Sequence, residues 1–225
     1  MIVKIAAFTD DERIEKFSAM VEALDWRDGR ETAGAIAKQV KRNLQAVVNS
    51  EAGRAIRAEL TPLIAANRVV KAAAQPRRFS PLLISKTKDG GHYGPHVDNA
   101  LMGKGANRIR TDISFTLFLS RSADYEGGEL VIHTAGQTQS VKGEWGQLVL
   151  YPSTSIHEVK PVTKGERIVC VGWIESLIAD PIQRELMFDM ENLRASLRKR
   201  LDHQSPELLT LDKSMANLMR MWSQT

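Results

Sequence analysis

Short runs of β-branched, aromatic and other apolar residues, each ended by turn-forming residues, divide the sequence from about residue 68 to residue 176. Such runs, bounded by glycine, proline, serine and asparagine, are typical of strands. Their regular rhythm favours an antiparallel sandwich or jelly roll over a βαβ architecture. The predicted strands are Pro81–Ser85, Ile113–Leu119, Glu129–His133, Gln147–Tyr151, Ile156–Val159 and Arg167–Ile174.

Helices are predicted before this segment. Apolar residues recur at helical spacing in residues 10–24, 33–48 and 51–65, and Asp10 or Asp11 can cap the first of these helices. After Asn67 the sequence Arg68-Val69-Val70-Lys71 changes towards strand.

Helical spacing returns after the strand segment, over residues 180–201 and 206–222. The first of these two helices carries a stripe of apolar residues, which predicts packing against the sheet: Ile182, Leu186, Met190, Leu193 and Leu197. We therefore expect an α+β fold in which helices flank a jelly-roll core. The expected divisions are a helical region over 1–77, the core over 78–178 and a helical extension over 179–225.

Composition narrows the class of protein. With 43% hydrophobic and 26% charged residues among 225, the chain can bury a sizeable core. No apolar run reaches the ~18 residues of a membrane span, so we expect a cytoplasmic protein with no membrane contact. A net charge of +4, spread along helices, does not favour nucleic-acid binding. The one cysteine, Cys170, lies in an apolar run and is expected to be buried and inert.

The stretch "GHYGPHVD" concentrates chemistry, because it holds two of the five histidines. In an extended segment, residues i and i+2 point to the same side, so His96 and Asp98 can offer an imidazole nitrogen and a carboxylate oxygen to one metal ion. His92 lies outside this pair and is expected to face solvent or substrate. A lone His-x-Asp is a weak signal that needs a third ligand.

His157 is the candidate for that ligand. It opens a predicted strand, and a turn-like sequence joins this strand to the next. A hairpin centred near Val162 would pair His157 with Arg167 and turn both side chains towards one cavity.

Two histidines and a carboxylate form the facial triad that leaves open positions on iron(II). Arg167 would supply a bidentate cation for a carboxylate that cannot reach the metal. A dicarboxylate such as 2-oxoglutarate could chelate iron at its keto-acid end and pair its far carboxylate with this arginine. The same ligands also suit zinc, so a zinc-dependent hydrolase or a non-catalytic jelly-roll metal-binding protein is an open alternative.

The sequence resembles the iron(II)/2-oxoglutarate-dependent dioxygenases, and most closely the PKHD-type (prolyl/lysyl hydroxylase-like) hydroxylases of bacteria. The residues that carry the resemblance are "HYGPHVDNA", "RTDISFTLFLS", "YEGGEL", "GQLVLYPSTSIHEVKPVTKGER" and "GWIESLI". The resemblance implies a double-stranded β-helix core, iron(II) held by His96, Asp98 and His157, and 2-oxoglutarate held by Arg167.

The resemblance also implies the reaction. Oxygen and 2-oxoglutarate would be consumed to hydroxylate a C–H bond of a small molecule or a protein side chain, with release of succinate and CO2. Ascorbate is a candidate reductant, and family members often accompany iron and siderophore uptake. Nucleic-acid demethylation is disfavoured, because those enzymes resemble a pattern with a second arginine where this chain has Trp173. The apolar C-terminal helices suggest a homodimer.

The chain departs from the family pattern beside Arg167. Thr87 stands where related prolyl hydroxylases often have a tyrosine that binds the cosubstrate. Tyr93, or one of Asp112, Ser114 and Thr116, is our hypothesis for the replacement hydrogen bond. Asn99 and Trp173 are expected to line the mouth of the site, since Trp173 shares the strand parity of Arg167.

Overall fold

The computed structural model describes residues 1–32 and 39–224. Its described strands, numbered in chain order, form two larger antiparallel sheets and two short ladders. The main sheet has the order β1-β14-β10-β17-β6-β4-β2, with β5 also paired to β17. Its strands are β1 Val3–Ala6, β2 Trp26–Asp28, β4 Leu44–Ala46, β5 Pro76–Phe79, β6 Leu83–Thr87, β10 Ile113–Phe118, β14 Gln147–Pro152 and β17 Arg167–Ser176.

The second sheet has the order β13-β12-β15-β7-β3. Its strands are β3 Lys41–Arg42, β7 His92–His96, β12 Leu130–Thr134, β13 Gln137–Val141 and β15 Ile156–Val159. The two short ladders pair β8 Leu101–Met102 with β9 Ile109–Arg110, and β11 Tyr125–Gly127 with β16 Val162–Gly165.

Five α-helices accompany the sheets in the described residues: α1 Asp11–Glu22, α2 Glu51–Ala66, α3 Arg68–Ala74, α4 Pro181–Leu197 and α5 Pro206–Trp222. Asp10 caps α1 as predicted, because its side chain accepts from the backbone N–H of Arg13. No helix of the described segments combines the length and the apolar character needed to cross a bilayer.

Strand alternation gives the main sheet two different faces. On β17, Ile168, Cys170 and Ile174 pack with the core that includes α1–α3. The alternate residues of the same strand, which include Arg167 and Trp173, line a cavity on the other face. The second sheet covers that face, since residues of both sheets form a second core cluster. This is the predicted α+β jelly roll.

Two helix and strand predictions are wrong. Of the predicted helix 33–48, residues 33–38 lie outside the described residues, and the rest holds β3 and β4, which are paired with β7 and β6. Sheet pairing therefore overrides the helical spacing there. Residues 68–71 begin α3 rather than a strand, because the Asn67 side chain accepts from the N–H groups of Val69 and Val70 and starts a new helix.

These strands also correct the expected character of the N-terminal part, because β1–β4 join the sheets and residues 1–77 are not purely helical. The division at residues 77 and 178 stays a prediction. At the other end, the predicted α4 stripe is not buried. Ile182 is 78% exposed and Leu193 51% exposed, whereas Met187 packs with Ile178 and with Met215 of α5.

Candidate active site

A cavity of about 130 Å³ lies between the two sheets. Its wall combines polar side chains at one strand end with apolar residues deeper in the fold. Ten of the described strands contribute to it, and all the predicted site residues line it: Tyr93, His96, Asp98, Asn99, His157, Arg167 and Trp173. The structure therefore brings the predicted site residues together in one cavity.

His96, Asp98 and His157 each present one ligand atom to a common point. These three atoms all lie within 4.8 Å of one another, and the Nε2 atom of His157 is 3.7 Å from the Oδ2 atom of Asp98. Two imidazoles and one carboxylate on one side of a metal leave the other positions open. The group can thus hold a divalent cation, and its donor chemistry suits iron(II).

Strand pairing explains how residues sixty positions apart meet. β7 and β15 are antiparallel neighbours, and His96 lies directly opposite His157 in their register. Directly opposed side chains have Cβ atoms about 5 Å apart. Asp98 follows β7 and returns to the same side two residues later. The predicted i, i+2 relationship is consistent with this placement.

The predicted hairpin between His157 and Arg167 is wrong, although both residues do line one cavity. Residues 162–165 pair with β11 instead of turning β15 back on itself. Arg167 lies opposite Thr87 in the main sheet, and His157 lies in the second sheet. The two side chains therefore meet across the sandwich, because a longer connection carries the chain from one sheet to the other.

Hydrogen bonds fix the orientation of the three candidate ligands. The Nδ1 atoms of His96 and His157 lie 2.8 and 3.0 Å from the carbonyl oxygens of Gly94 and Ser155. A carbonyl can only accept, so each Nδ1 donates and each Nε2 is left with a free lone pair. The Ser114 hydroxyl donates to the Asp98 carboxylate at 2.5 Å.

Burial keeps His96 in the protonation state that metal binding needs. Desolvation, assisted by the neighbouring His157, lowers the pKa of His96 to about 4, so its imidazole is neutral at physiological pH. Metal ligation requires that neutral form. Tyr93 stacks on His96 with ring centroids 3.6 Å apart, and burial raises its pKa to about 12. Tyr93 is therefore a neutral phenol.

Arg167 is a buried charged residue of the cavity wall and is only 2% exposed. Its guanidinium lies 5.4 Å from the ring centre of Phe118, and its Nε atom has no hydrogen-bond partner among the described residues. Burial lowers the pKa of Arg167, while Tyr125 and Tyr151 oppose that shift. A buried cation with an unused donor is costly unless a ligand supplies the anion.

The "YEGGEL" segment packs directly behind Arg167. Gly128 has a φ of +71°, and a Cβ atom on it would lie 2.9 Å from the Cδ atom of Arg167 and 3.1 Å from a ring carbon of Tyr125. Gly127 and Gly128 both have positive φ angles, which glycine adopts without strain. The close approach shows a further role for Gly128, which leaves room for the arginine.

The structure excludes one of the four candidates for the replacement hydrogen bond beside Arg167. The prediction of Asp112 is wrong, because Asp112 lies outside the cavity wall, pairs with Arg110 and accepts from the backbone N–H of Ser176. Ser114 lines the cavity but is engaged with Asp98, and Thr116 is a hydrogen-bond partner of Tyr151.

The substrate-side candidates lie where they were predicted. Asn99 and Trp173 both line the cavity, and the indole Nε1 atom of Trp173 is buried without a hydrogen-bond partner in the described part of the chain. His92 instead borders a separate cavity on the outer side of β3. It does not belong to the group of candidate ligands.

Tyr151 and Lys41 are cavity residues that were not predicted from the sequence. Tyr151 lies edge-on to His157, with ring centroids 5.0 Å apart, and only the inward parity of the predicted strand 147–151 could have indicated it. Lys41 lines the cavity from β3, within the segment that was predicted as a helix. A correct strand assignment would have been needed to find it.

Comparison with known proteins gives the family. Residues 82–175 match the model of the 2OG-Fe(II) oxygenase superfamily. The chain is 51% identical over 210 residues to a PKHD-type hydroxylase of Hyphomonas neptunium, a match that covers 93% of this chain and 94% of that protein.

Solved structures share the fold at low sequence identity. A prolyl hydroxylase of Trichoplax adhaerens, in complex with a hypoxia inducible factor peptide fragment, is 14% identical with a TM-score of 0.58, and the match covers 77% of this chain and 83% of that one. HygX of Streptomyces hygroscopicus, with nickel, 2-oxoglutarate and hygromycin B bound, is also 14% identical with a TM-score of 0.52, over 79% and 84% of the two chains. On the strength of the family match, the chain belongs to the PKHD-type hydroxylases of the 2OG-Fe(II) oxygenase superfamily, which use Fe(II), 2-oxoglutarate and O2.

Proposed function

We propose that His96, Asp98 and His157 hold Fe(II), that Arg167 binds the distal carboxylate of 2-oxoglutarate, and that the enzyme hydroxylates a C–H bond of a small molecule or a protein side chain. One observation carries this proposal. The three candidate ligand atoms, within 4.8 Å of one another, share a cavity with a buried arginine.

The buried arginine supports 2-oxoglutarate as the cosubstrate. A guanidinium binds a carboxylate through two parallel N–H···O bonds, and its buried Nε atom lacks a partner in the described residues. The carboxylate of 2-oxoglutarate would supply the missing charge and acceptors. The same residue argues against a zinc-dependent hydrolase or a plain metal-binding protein, in which Arg167 would have no task.

Fe(II), 2-oxoglutarate and O2, when bound, supply the oxidation of a substrate C–H to C–OH, coupled to conversion of 2-oxoglutarate into succinate and CO2. The protein holds and orients the participants. Ser114 fixes the Asp98 carboxylate, and the backbone carbonyls of Gly94 and Ser155 fix the two imidazoles. The apolar wall of the cavity limits the access of water to the reacting atoms.

The substrate would lie beside Asn99 and Trp173. The buried indole N–H of Trp173 has no acceptor in the described residues, so it can donate to a polar group of the substrate. The two neighbours of known structure contain a peptide in one case and hygromycin B in the other. The fold therefore does not discriminate between a protein side chain and a small molecule.

Three further points stay predictions. The role of ascorbate as reductant is tested by measuring whether it slows the inactivation of the enzyme during turnover. The link to iron or siderophore uptake is tested by deleting the gene and growing the cells under iron limitation. A homodimer through the C-terminal helices would cover the exposed side of α4, where Ile182 and Leu186 are 78% and 48% exposed. Light scattering of the wild type and of Leu186→Asp tests that dimer.

The proposed function is tested by succinate formation. Purified protein given Fe(II) and 2-oxoglutarate in air is expected to release succinate slowly, even without a substrate. Asp98→Ala should abolish this turnover, whereas Asp189→Ala, which removes an exposed carboxylate of α4, should leave it unchanged. Equal succinate release by Asp98→Ala and the wild type would contradict the assigned ligands.

A further inference from the structure

Lys41 is a second buried cation in the same cavity, and the proposed reaction does not use it. Its side chain comes from β3 at the edge of the second sheet, where Lys41 lies opposite Tyr93. The residue is only 7% exposed. A lysine that is buried to this extent is normally paired with a carboxylate or hydrogen-bonded to several acceptors.

Within the described residues the Lys41 ammonium has neither kind of partner. It forms no ion pair within 4.0 Å, and the charge of Asp28, its main electrostatic neighbour, is engaged at short range by Arg30. Burial consequently lowers the pKa of Lys41 to about 8. The cost of this arrangement falls on the free protein and is recovered if an anion binds.

The position of the ammonium says which cavity the anion would occupy. Lys41 borders both the main cavity and the outer cavity of β3, but its Nζ atom lies 5.3 Å from the ring centre of Tyr93. Tyr93 lines the main cavity and stacks on His96, one of the proposed iron ligands. Because Lys41 and Tyr93 both line the main cavity, an anion held there by Lys41 would lie beside Tyr93.

The surroundings of Lys41 are also basic. Arg42 and His92, which are paired in register on β3 and β7, border the outer cavity next to it. Lys86 and Lys88 border the same cavity, although both pair with Glu166. Asp28 and Asp89 also line this outer cavity, so its described wall carries more basic than acidic side chains but is not uniformly positive.

We propose that Lys41 binds an anionic group of the substrate, so that the molecule hydroxylated by this enzyme carries a carboxylate or a phosphate near the reacting C–H bond. This inference rests on the proposed function, because Arg167 is reserved there for 2-oxoglutarate. Two separate cations in one cavity then serve two separate anions. A neutral substrate would leave Lys41 without an anionic partner in the described residues, with only the Tyr93 ring beside its ammonium group.

The test uses the full chain loaded with Zn(II) and 2-oxoglutarate, which keeps the protein diamagnetic, and labelled lysine side chains observed by NMR. Lys41→Met, with Lys41→Arg in reserve, identifies the Lys41 signal by its disappearance. The probes are acetate, methyl phosphate and, as a neutral control, acetamide. We expect acetate or methyl phosphate, but not acetamide, to shift the Lys41 signal, with saturation below about 100 mM.

The stronger of the two anionic probes indicates which anionic group the substrate carries. Lys160→Met, which removes a solvent-exposed lysine paired with Glu158, should leave the response unchanged. Two results would overturn the proposal: no saturable shift with either anion, or a shift caused by 2-oxoglutarate alone that neither anion extends. Calorimetry of 2-oxoglutarate binding, done first, detects failure of the proposed function independently. If 2-oxoglutarate does not bind, acetate, methyl phosphate and acetamide are added to the metal-free protein instead. The same changes in the Lys41 signal then decide whether Lys41 binds anions.

Discussion

Replacing Arg167 by methionine should weaken the binding of 2-oxoglutarate without lowering the free energy of unfolding. Two charge-assisted hydrogen bonds to the distal carboxylate are worth ~1.5–3 kcal/mol each, so their loss should weaken 2-oxoglutarate binding roughly 10²–10⁴-fold. The same change removes a cation that is 2% exposed and lacks a partner for its Nε atom. Methionine preserves most of the packing against Phe118, so the free protein should be as stable as the wild type, or up to about 1–2 kcal/mol more stable.

Two measurements check this prediction. Calorimetry of 2-oxoglutarate binding to the Mn(II)-loaded protein gives the affinity, and urea unfolding without 2-oxoglutarate gives the stability. Arg167→Lys should bind with intermediate affinity, because it keeps the charge but loses the planar fork. Arg220→Met, on exposed α5, is the matched control and should change neither value. If Arg167→Met is strongly destabilised and binds 2-oxoglutarate normally, Arg167 is a structural residue and the assignment is refuted.

Three other substitutions probe the supports of the site. Ser114→Ala removes the hydroxyl that donates to the carboxylate among the proposed ligands, so Mn(II) affinity should fall about 10-fold in a chelator competition; unchanged affinity would contradict that role. Gly128→Ala should weaken 2-oxoglutarate binding, because the new methyl lies 2.9 Å from Arg167, and Gly136→Ala, equally left-handed but with open space around it, should not. Glu175 is buried, which opposes its ionisation, yet arginine hydrogen bonds and charges lower its pKa below 4.5. A carboxyl group with a lowered pKa stabilises the fold at pH values above its unfolded pKa, so the free energy of unfolding should fall as the pH drops below 4.5. If the free energy of unfolding of Glu175→Gln falls as steeply with pH as that of the wild type, Glu175 is not the cause.

The sequence predicted the metal group because its members carry their own local signals. The i, i+2 spacing of His96 and Asp98 is a property of one extended segment, and His157 opens a strand that is evident from its apolar run. The predicted hairpin placed Arg167 in the same cavity by a wrong route, and the family resemblance separately implied that Arg167 binds 2-oxoglutarate. What spacing could not predict was the partner strand, since the turn-like sequence after Val159 suggested a hairpin that the jelly-roll connection overrides.

Lys41 is a cavity residue that could not be predicted from the sequence. The helical spacing of apolar residues in 33–48 hid a two-residue strand that is held by its pairing with β7 and not by its own propensity. Tertiary pairing of this kind leaves no periodic signal in so short a segment. The prediction that the apolar stripe of α4 packs against the sheet was wrong for a related reason. Apolar spacing predicts an apolar helix face, but it does not predict whether another element covers that face.

The central claim is that this cavity binds iron and 2-oxoglutarate together through His96, Asp98, His157 and Arg167. Anaerobic addition of Fe(II) and 2-oxoglutarate to the protein, followed by visible spectroscopy, tests it directly. We predict that the charge-transfer band of the chelate appears in the wild type and in His133→Ala, a histidine outside the cavity wall, and is lost in His157→Ala. Absence of the band in the wild type, or its survival in His157→Ala, would contradict the claim.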